Sequence, residues 1–166
     1  MSKRALSLAA SLTLAACQLG ETMNGNSDAL SAATVQSQQS FNFCALAEQK
    51  GSLQVVSDAN SWQAWQAQLN RTSPSTQITI QPNFERDRVV LVSLGSKPSA
   101  GYEVLIKALQ FETDLITVDV KQVKPTSGSM NALIVTSPCV VAIIANRSIE
   151  KIRARDIDTQ QILFSN

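Results

Sequence analysis

Two apolar runs constrain the fold of this chain more than any other feature. Residues 89–94 and 140–144 are apolar at nearly every position and lack the polar alternation of a strand with one face in water. Short runs of this kind, bounded by turn residues, are typical of central strands that are buried on both faces. The sheet that contains them is therefore expected to be covered on both sides.

A helix is predicted between the first strand and these runs. Residues 53–56 read as a short strand, and Ser57 or Asp58 can then cap a helix. Trp62, Trp65 and Leu69 follow at spacings that place them on one helical face. Paired tryptophans can form a ligand platform, but a helix that packs both indoles on a sheet is the favoured interpretation.

The remaining strands follow from alternation. Tyr102, Val104, Ile106 and Ala108 alternate with more polar positions, and residues 116–120 give the expected hairpin partner. Two closing strands are expected near the C-terminus. They are residues 149–153 and 161–164. The resulting fold class is α+β, mostly β: a compact antiparallel sandwich or half-barrel of about seven strands with one main helix.

The N-terminus has the order of an export signal. Lys3 and Arg4 precede a diluted apolar stretch at residues 5–14. That stretch is well short of the ~20 residues that span a bilayer. The tetrapeptide that ends at Cys17, Leu-Ala-Ala-Cys, resembles the lipobox of bacterial lipoproteins. We expect residues 1–16 to be a signal peptide and Cys17 to carry the lipid, palmitate included. The alternative is an ordinary secretory signal.

A polar segment is expected to separate the anchor from the domain. Residues 17–40 are rich in Ser, Gln, Asn and Ala, with no apolar period, and predict the lipidated cysteine followed by a flexible tether. The globular domain is predicted to span residues 41–166. Gln18 is not an aspartate, which by resemblance to Gram-negative sorting favours the outer membrane, facing the periplasm.

Composition argues against several functions. The chain has no histidine and a net charge of +1, so the usual general base and zinc ligand are missing, and nothing attracts nucleic acid. The aspartates Asp87, Asp114, Asp119 and Asp156 are scattered and expected to be solvated. We predict that the protein is not an enzyme and needs no cofactor or metal. A Ser/Lys hydrolase at Ser96 and its neighbour is a weak alternative.

Two cysteines remain once Cys17 carries lipid. Cys44 and Cys139 would lie in an oxidising compartment after export, and a disulfide between them is the favoured interpretation. It would tie the start of the domain to a late core strand. A reactive thiol and two independently buried thiols are the alternatives.

Residues 55–144 contain a series of motifs that occur in the same order in one protein family. They are the Trp-containing helix at 61–65, the triplet 82–84, the strand 89–92, the central run 94–102, Pro125 with Gly128, and the triplet 136–138 before a last strand. This order resembles the PrcB-like C-terminal domain, named for a lipoprotein subunit of a bacterial surface protease complex. Asn83 replaces an aspartate that is usual in the family, Ser99-Ala100 replaces a glycine-rich pair, and Cys139 replaces an aromatic residue.

The resemblance implies a protein partner, for which a protease is the first candidate, and contact with the membrane through the lipid alone. Two loops stiffened by proline and glycine are the hypothetical partner surface. Their residues are Lys97, Pro98, Ser99, Gly101 and Tyr102, together with Lys124, Pro125 and Gly128. Pro98 fixes φ and Gly101 permits positive φ, so a purely structural turn is also consistent with the first loop. That loop further resembles the Pro-x-x-Gly-aromatic loop of chagasin-type inhibitors, which makes direct protease inhibition the alternative function.

Overall fold

The computed structural model of this protein describes residues 31–33, 35–44, 50–74, 76–145 and 151–166. The predicted signal peptide, Cys17 and most of the predicted tether lie outside them. The described residues contain nine strands and one helix. In chain order these are β1 (Ser31–Ala33), β2 (Ser37–Phe41), β3 (Lys50–Val56), α1 (Ala59–Thr72), β4 (Asp87–Gly95), β5 (Glu103–Phe111), β6 (Leu115–Val123), β7 (Cys139–Ala145), β8 (Lys151–Asp156) and β9 (Ile162–Ser165).

The strands form two sheets that pack face to face. One sheet has the order β1-β5-β6-β8-β9 and the other has the order β2-β7-β4-β3. The predicted fold class, mostly β with one helix in a sandwich, is confirmed. One pair of strands departs from the predicted antiparallel arrangement, because β8 runs parallel to β6. The chain reaches β8 from β7 in the other sheet, so no hairpin dictates its direction.

The two apolar runs form β4 and β7 at the centre of the four-stranded sheet. Val90 and Val92 of β4 point into the core between the sheets, whereas Val89 and Leu91 point toward the helix. β7 alternates in the same way, with Val141 on the helix side. Burial on both faces is therefore confirmed, and it explains why neither run shows polar alternation.

Helix α1 covers the outer face of that sheet. Asp58 caps it, because its carboxylate accepts hydrogen bonds from the backbone N–H and the hydroxyl of Ser61 at 2.8 and 2.7 Å. Those bonds lower the pKa of Asp58. Trp62 and Trp65 stack with ring centroids 5.0 Å apart and are buried with Leu69. The tryptophans therefore belong to the core and are not an exposed platform.

A bulge in β5 alters the predicted alternation. The register with β6 shifts between Ile106 and Ala108, so Lys107 is an extra residue on one strand. After the bulge Leu109 and Phe111 are buried, and Ala108 is only half-buried. The prediction that Ala108 shares a face with Ile106 is therefore wrong, because a period-two pattern contains no sign of an inserted residue.

The folded region begins before the predicted boundary at residue 41. Strand β2 pairs with β7, and β1 pairs with β5, although both lie in the segment predicted as a tether. The side-chain amide of Gln38 donates to the carbonyl of Ile106 and accepts from its N–H, each at 3.1 Å. The side chain of Gln38 thus makes the pair of hydrogen bonds that the backbone of a neighbouring strand would otherwise make with Ile106. Composition suggested a tether because these contacts use polar groups and little apolar surface.

Candidate functional site: a double loop at one end of the sandwich

Both predicted loops leave the sandwich at the same end. The first loop, residues 96–102, joins β4 to β5, and the second loop, residues 124–138, joins β6 to β7. Glu103 pairs with Val123, so the first loop ends where the second loop begins. The structure therefore brings together the two sets of residues that the sequence analysis selected.

Hydrogen bonds join the two loops into one unit. The backbones of Lys97 and Thr136 exchange a pair of bonds at 2.8 and 3.0 Å. The Thr136 hydroxyl donates to the carbonyl of Ser99 at 2.9 Å, and the N–H of Ala100 donates to the carbonyl of Ala132 at 3.0 Å. Thr136 is itself buried. The first loop is therefore held against the second along most of its length.

Two glycines in this unit adopt positive φ, but only one of them is in a close contact. Gly101 has φ +90°, and a Cβ there would lie 2.7 Å from Oδ1 of Asn131 and 3.3 Å from Cγ of Pro125. Gly128 has φ +83° and faces open space. The expectation that Gly101 supplies positive φ is confirmed. Its missing side chain also lets the two loops approach each other.

The charged groups of the double loop are lysines alone. Lys97 places its ammonium 6.0 Å from the ring centroid of Tyr102, and both residues are half-buried. Pro98 and Lys124 are exposed. The two loops contain no aspartate or glutamate. The two loops themselves therefore carry positive charge only, and the Lys97 ammonium lies over the ring of Tyr102.

The predicted disulfide between Cys44 and Cys139 is confirmed, with the two Cα atoms 5.5 Å apart. It lies at the root of the second loop. The N–H of Cys44 donates to the carbonyl of Ser137 at 2.7 Å, and Pro138 accepts from the N–H of Leu94 at 2.9 Å. The end of the second loop is thus fixed by a covalent bond and by hydrogen bonds to two neighbouring segments.

The second loop also contains exposed apolar residues that the sequence analysis did not select. They are Met130, Leu133, Ile134 and Val135. The residues predicted for this loop, Lys124, Pro125 and Gly128, were chosen for their charge and for the stiffness of proline and glycine, and these signals end before Met130. The signal that could have found them is the run 132–135, which is apolar, too short for a helix and separated from the next strand by only three residues.

The comparison with known families includes this double loop. Residues 88–145 match the family model described as PrcB C-terminal. The matched segment runs from β4 to β7 and contains both loops in full. The resemblance inferred from the sequence is confirmed over that segment, whereas helix α1 precedes it. Neither a curated protein nor a solved structure matches the chain.

A polar cleft of about 380 Å³ lies where the end of β6 meets β8, β9 and the turn between them. It is lined by Gln122, Lys124, Asp156, Asp158, Thr159, Gln161 and Leu163. Burial alone would raise the pKa of Asp156, but hydrogen bonds from Thr159, Gln122 and Asp158 outweigh burial, and its pKa is lowered. Because these donors already engage both of its oxygens, Asp156 stabilises a turn and offers little to a ligand.

Four aspartates were expected to be solvated, and Asp114 is indeed exposed. Asp87, Asp119 and Asp156 are instead buried, so the expectation is wrong for these three. Asp119 is paired with Arg155 at 2.7 Å, and Asp87 accepts from the N–H of Asn83 at 2.8 Å. Sequence gives no sign of these partners, since they come from β8 and from a preceding turn.

The part of the chain that the structure describes contains neither a metal-binding group nor a membrane-spanning helix. It contains no group of three or more His, Cys, Asp or Glu side chains that could hold a metal ion. None of its helices combines the length and the apolar character that crossing a bilayer requires. The lipidation at Cys17 falls outside the described residues and stays a prediction.

Proposed function

We propose that this protein is a lipid-anchored accessory protein of the bacterial cell envelope, and that its double loop binds or stabilises a protease or another envelope protein. The observation that carries the proposal is the match of residues 88–145 to the PrcB C-terminal family, because that segment includes both loops. The family is named for a subunit of a protease complex. A protein partner is therefore the first expectation.

The physical chemistry of the double loop supports a binding role. A loop that is already ordered loses less conformational entropy when it binds, so a modest contact area yields useful affinity. The bonds from Thr136 to the first loop supply this order, and Gly101 removes bulk between the loops. Exposed Pro98 and Lys124 are accessible to a partner. Small side chains beside them let another backbone approach closely.

The proposed anchor is the lipid on Cys17. Residues 18–30 lie between it and β1, and a chain of that length reaches at most about 45 Å when fully extended. The tether in this proposal is shorter than the predicted segment 17–40, because β1 and β2 are part of the sheets. The protein then works close to its membrane, and we place it on the periplasmic face of the outer membrane.

The proposed role is not catalytic. The chain has no histidine, and the buried carboxylates of Asp119 and Asp156 are engaged by Arg155 and by turn donors. A carboxylate held in this way serves the fold. We therefore assign the protein no reaction of its own.

Direct protease inhibition is a second candidate, favoured by one observation. The first loop carries proline, glycine and an aromatic residue at Pro98, Gly101 and Tyr102, and Pro98 is exposed. This order resembles the loop of chagasin-type inhibitors. Adding the purified lipoprotein to its captured protease separates the two roles, because an inhibitor lowers peptidase activity whereas a stabiliser preserves or raises it.

The test is affinity capture of the tagged, full-length lipoprotein from membranes, followed by mass spectrometry. The double variant Lys97→Glu with Ser99→Trp changes the charge and shape of the first loop. The matched control Lys107→Glu with Gln63→Trp introduces the same two residues at exposed positions on β5 and α1. We expect the control to retain the partner and the loop variant to lose it. Equal recovery by two folded variants would place the partner surface elsewhere.

A further inference from the structure

The second loop presents an apolar segment, residues 130–135, to solvent. Relative to a fully accessible residue, Met130 is 104% exposed, Leu133 90%, Ile134 49% and Val135 68%. Their side chains add little to the core, so the fold alone does not account for them. Apolar residues that are exposed singly are ordinary, but a contiguous group on a soluble protein marks an interaction site.

The backbone of this apolar segment is held at both ends and free between them. The carbonyl of Ala132 accepts from Ala100, and Thr136 exchanges two bonds with Lys97. Within the described structure, Leu133, Ile134 and Val135 make no hydrogen bond, and the chain passes through them without a turn or sharp bend. An apolar stretch with unpaired N–H and C=O groups has the properties of an exposed edge strand.

We propose that the apolar segment is the strand on which the protein partner docks. The partner adds a strand of its own to the free backbone of residues 133–135 and covers their side chains with an apolar groove. This inference rests on the proposed function and specifies how the partner is recognised. It adds Met130, Leu133, Ile134 and Val135 to the residues that the two loops were expected to supply to this surface.

Charge indicates the chemistry of the partner's groove. Lys97 and Lys124 belong to the same double loop, which contains no acidic residue. A groove rimmed by aspartate or glutamate is complementary to this surface. A second copy of the chain would instead bring lysines toward lysines across a symmetric contact. Pairing between two copies is therefore disfavoured.

The free backbone also argues against a lipid surface as the occupant. The N–H and C=O groups of residues 133–135 have no partner within the described part of the chain. The hydrocarbon core of a bilayer offers them none, and leaving such groups unsatisfied there is costly. A protein strand satisfies them and covers the apolar side chains at the same time. The occupant that meets both requirements is a protein with an accessible sheet edge.

The test is photo-crosslinking from Ile134 in the full-length lipoprotein, in its own membrane. Benzoylphenylalanine replaces Ile134 in one form and Gln63, exposed on α1, in the control form. We expect Ile134 alone to crosslink to one protein, at an apolar segment with Asp or Glu close by in its sequence. Adding Leu133→Asn and Val135→Thr to the Ile134 form should lower the crosslink yield by about tenfold. Adding Ile162→Thr, which also removes an exposed apolar side chain, should leave the yield unchanged.

Each other outcome overturns the inference. Crosslinks from Ile134 to a second copy or to lipid alone would show that the proposed occupant, a partner protein, is wrong. Crosslinks from a probe at Ser99 without any from Ile134 would overturn the docking strand and leave the proposed function standing. Probes at both positions that give no protein adduct would overturn the inference and the proposed function together.

Discussion

Breaking the disulfide should weaken this domain substantially. Cys44 and Cys139 are 95 residues apart, and a crosslink that closes so long a loop removes much of the freedom of the unfolded chain. The chain-entropy relation gives about 4.7 kcal/mol for a loop of this length. Both cysteines are buried in the same cluster as Trp62 and Trp65, so the native state gains little freedom when the bond is broken. The unfolded chain gains much more, and the free energy of unfolding falls. We expect reduction to remove about 3–5 kcal/mol of unfolding free energy.

The assay is urea unfolding followed by tryptophan fluorescence, because Trp62 and Trp65 lie in the same cluster as the two sulfurs. Oxidised and reduced parent protein contain the same heavy atoms, so their difference isolates the crosslink. With a denaturant slope of about 2 kcal/mol/M, the midpoint should fall by about 2 M on reduction. The variant Cys44→Ser with Cys139→Ser serves as the control, since its midpoint should be insensitive to reductant.

Equal midpoints for oxidised and reduced parent protein would refute this reasoning. Such a result would mean that the bond is not formed, or that the reduced unfolded chain is already as restricted as the oxidised one. Quantitative alkylation before reduction separates these cases. Free thiols in the freshly isolated protein would show that the bond is missing.

Three further predictions concern a pair of glycines, a buried carboxylate and the lipid. Gly101→Ala should destabilise by about 2 kcal/mol and Gly128→Ala by about 1 kcal/mol, because both need positive φ but only Gly101 is also crowded; thermal or urea unfolding of the pair measures the difference. Asp156→Asn should cost about 1–3 kcal/mol near neutral pH, whereas exposed Asp158→Asn should cost little. Because the folded pKa of Asp156 is lowered, its contribution is present above the unfolded pKa of about 4 and is lost as the pH falls through the folded pKa. Parent stability should therefore fall more steeply than that of Asp156→Asn below about pH 4, as urea midpoints across that range would show. Cys17→Ala should abolish labelling by palmitate, and equal label in variant and parent would mean that the lipid is elsewhere.

The parts of the fold that could be predicted from sequence are those in which burial leaves a mark on residue type. Strands β4 and β7 lack polar alternation because both of their faces are covered, and α1 places Trp62 and Trp65 on its covered side. The disulfide followed from the count of cysteines and the expected compartment. Gly101 followed from turn chemistry, since only glycine adopts positive φ at little cost.

The parts that could not be predicted depend on contacts between distant segments. The side-chain amide of Gln38 makes hydrogen bonds with the backbone of Ile106, 68 residues away, and no local sequence pattern signals such a contact. The bulge at Lys107 could not be predicted either, because no residue type in β5 marks the inserted position. The parallel pairing of β8 with β6 follows from a crossing between sheets. The second loop was predicted from its proline and glycine, but its apolar part at residues 130–135 shows its exposure only in three dimensions.

The central claim is that the double loop binds a protein partner, and the affinity of the captured partner tests it most directly. The purified partner would be titrated with the parent lipoprotein, the first-loop variant Lys97→Glu with Ser99→Trp, and the apolar-segment variant Leu133→Asn with Val135→Thr. We expect a dissociation constant at least about tenfold higher for each variant, with unfolding midpoints unchanged. Dissociation constants equal to the parent's, measured on folded variants, would contradict it.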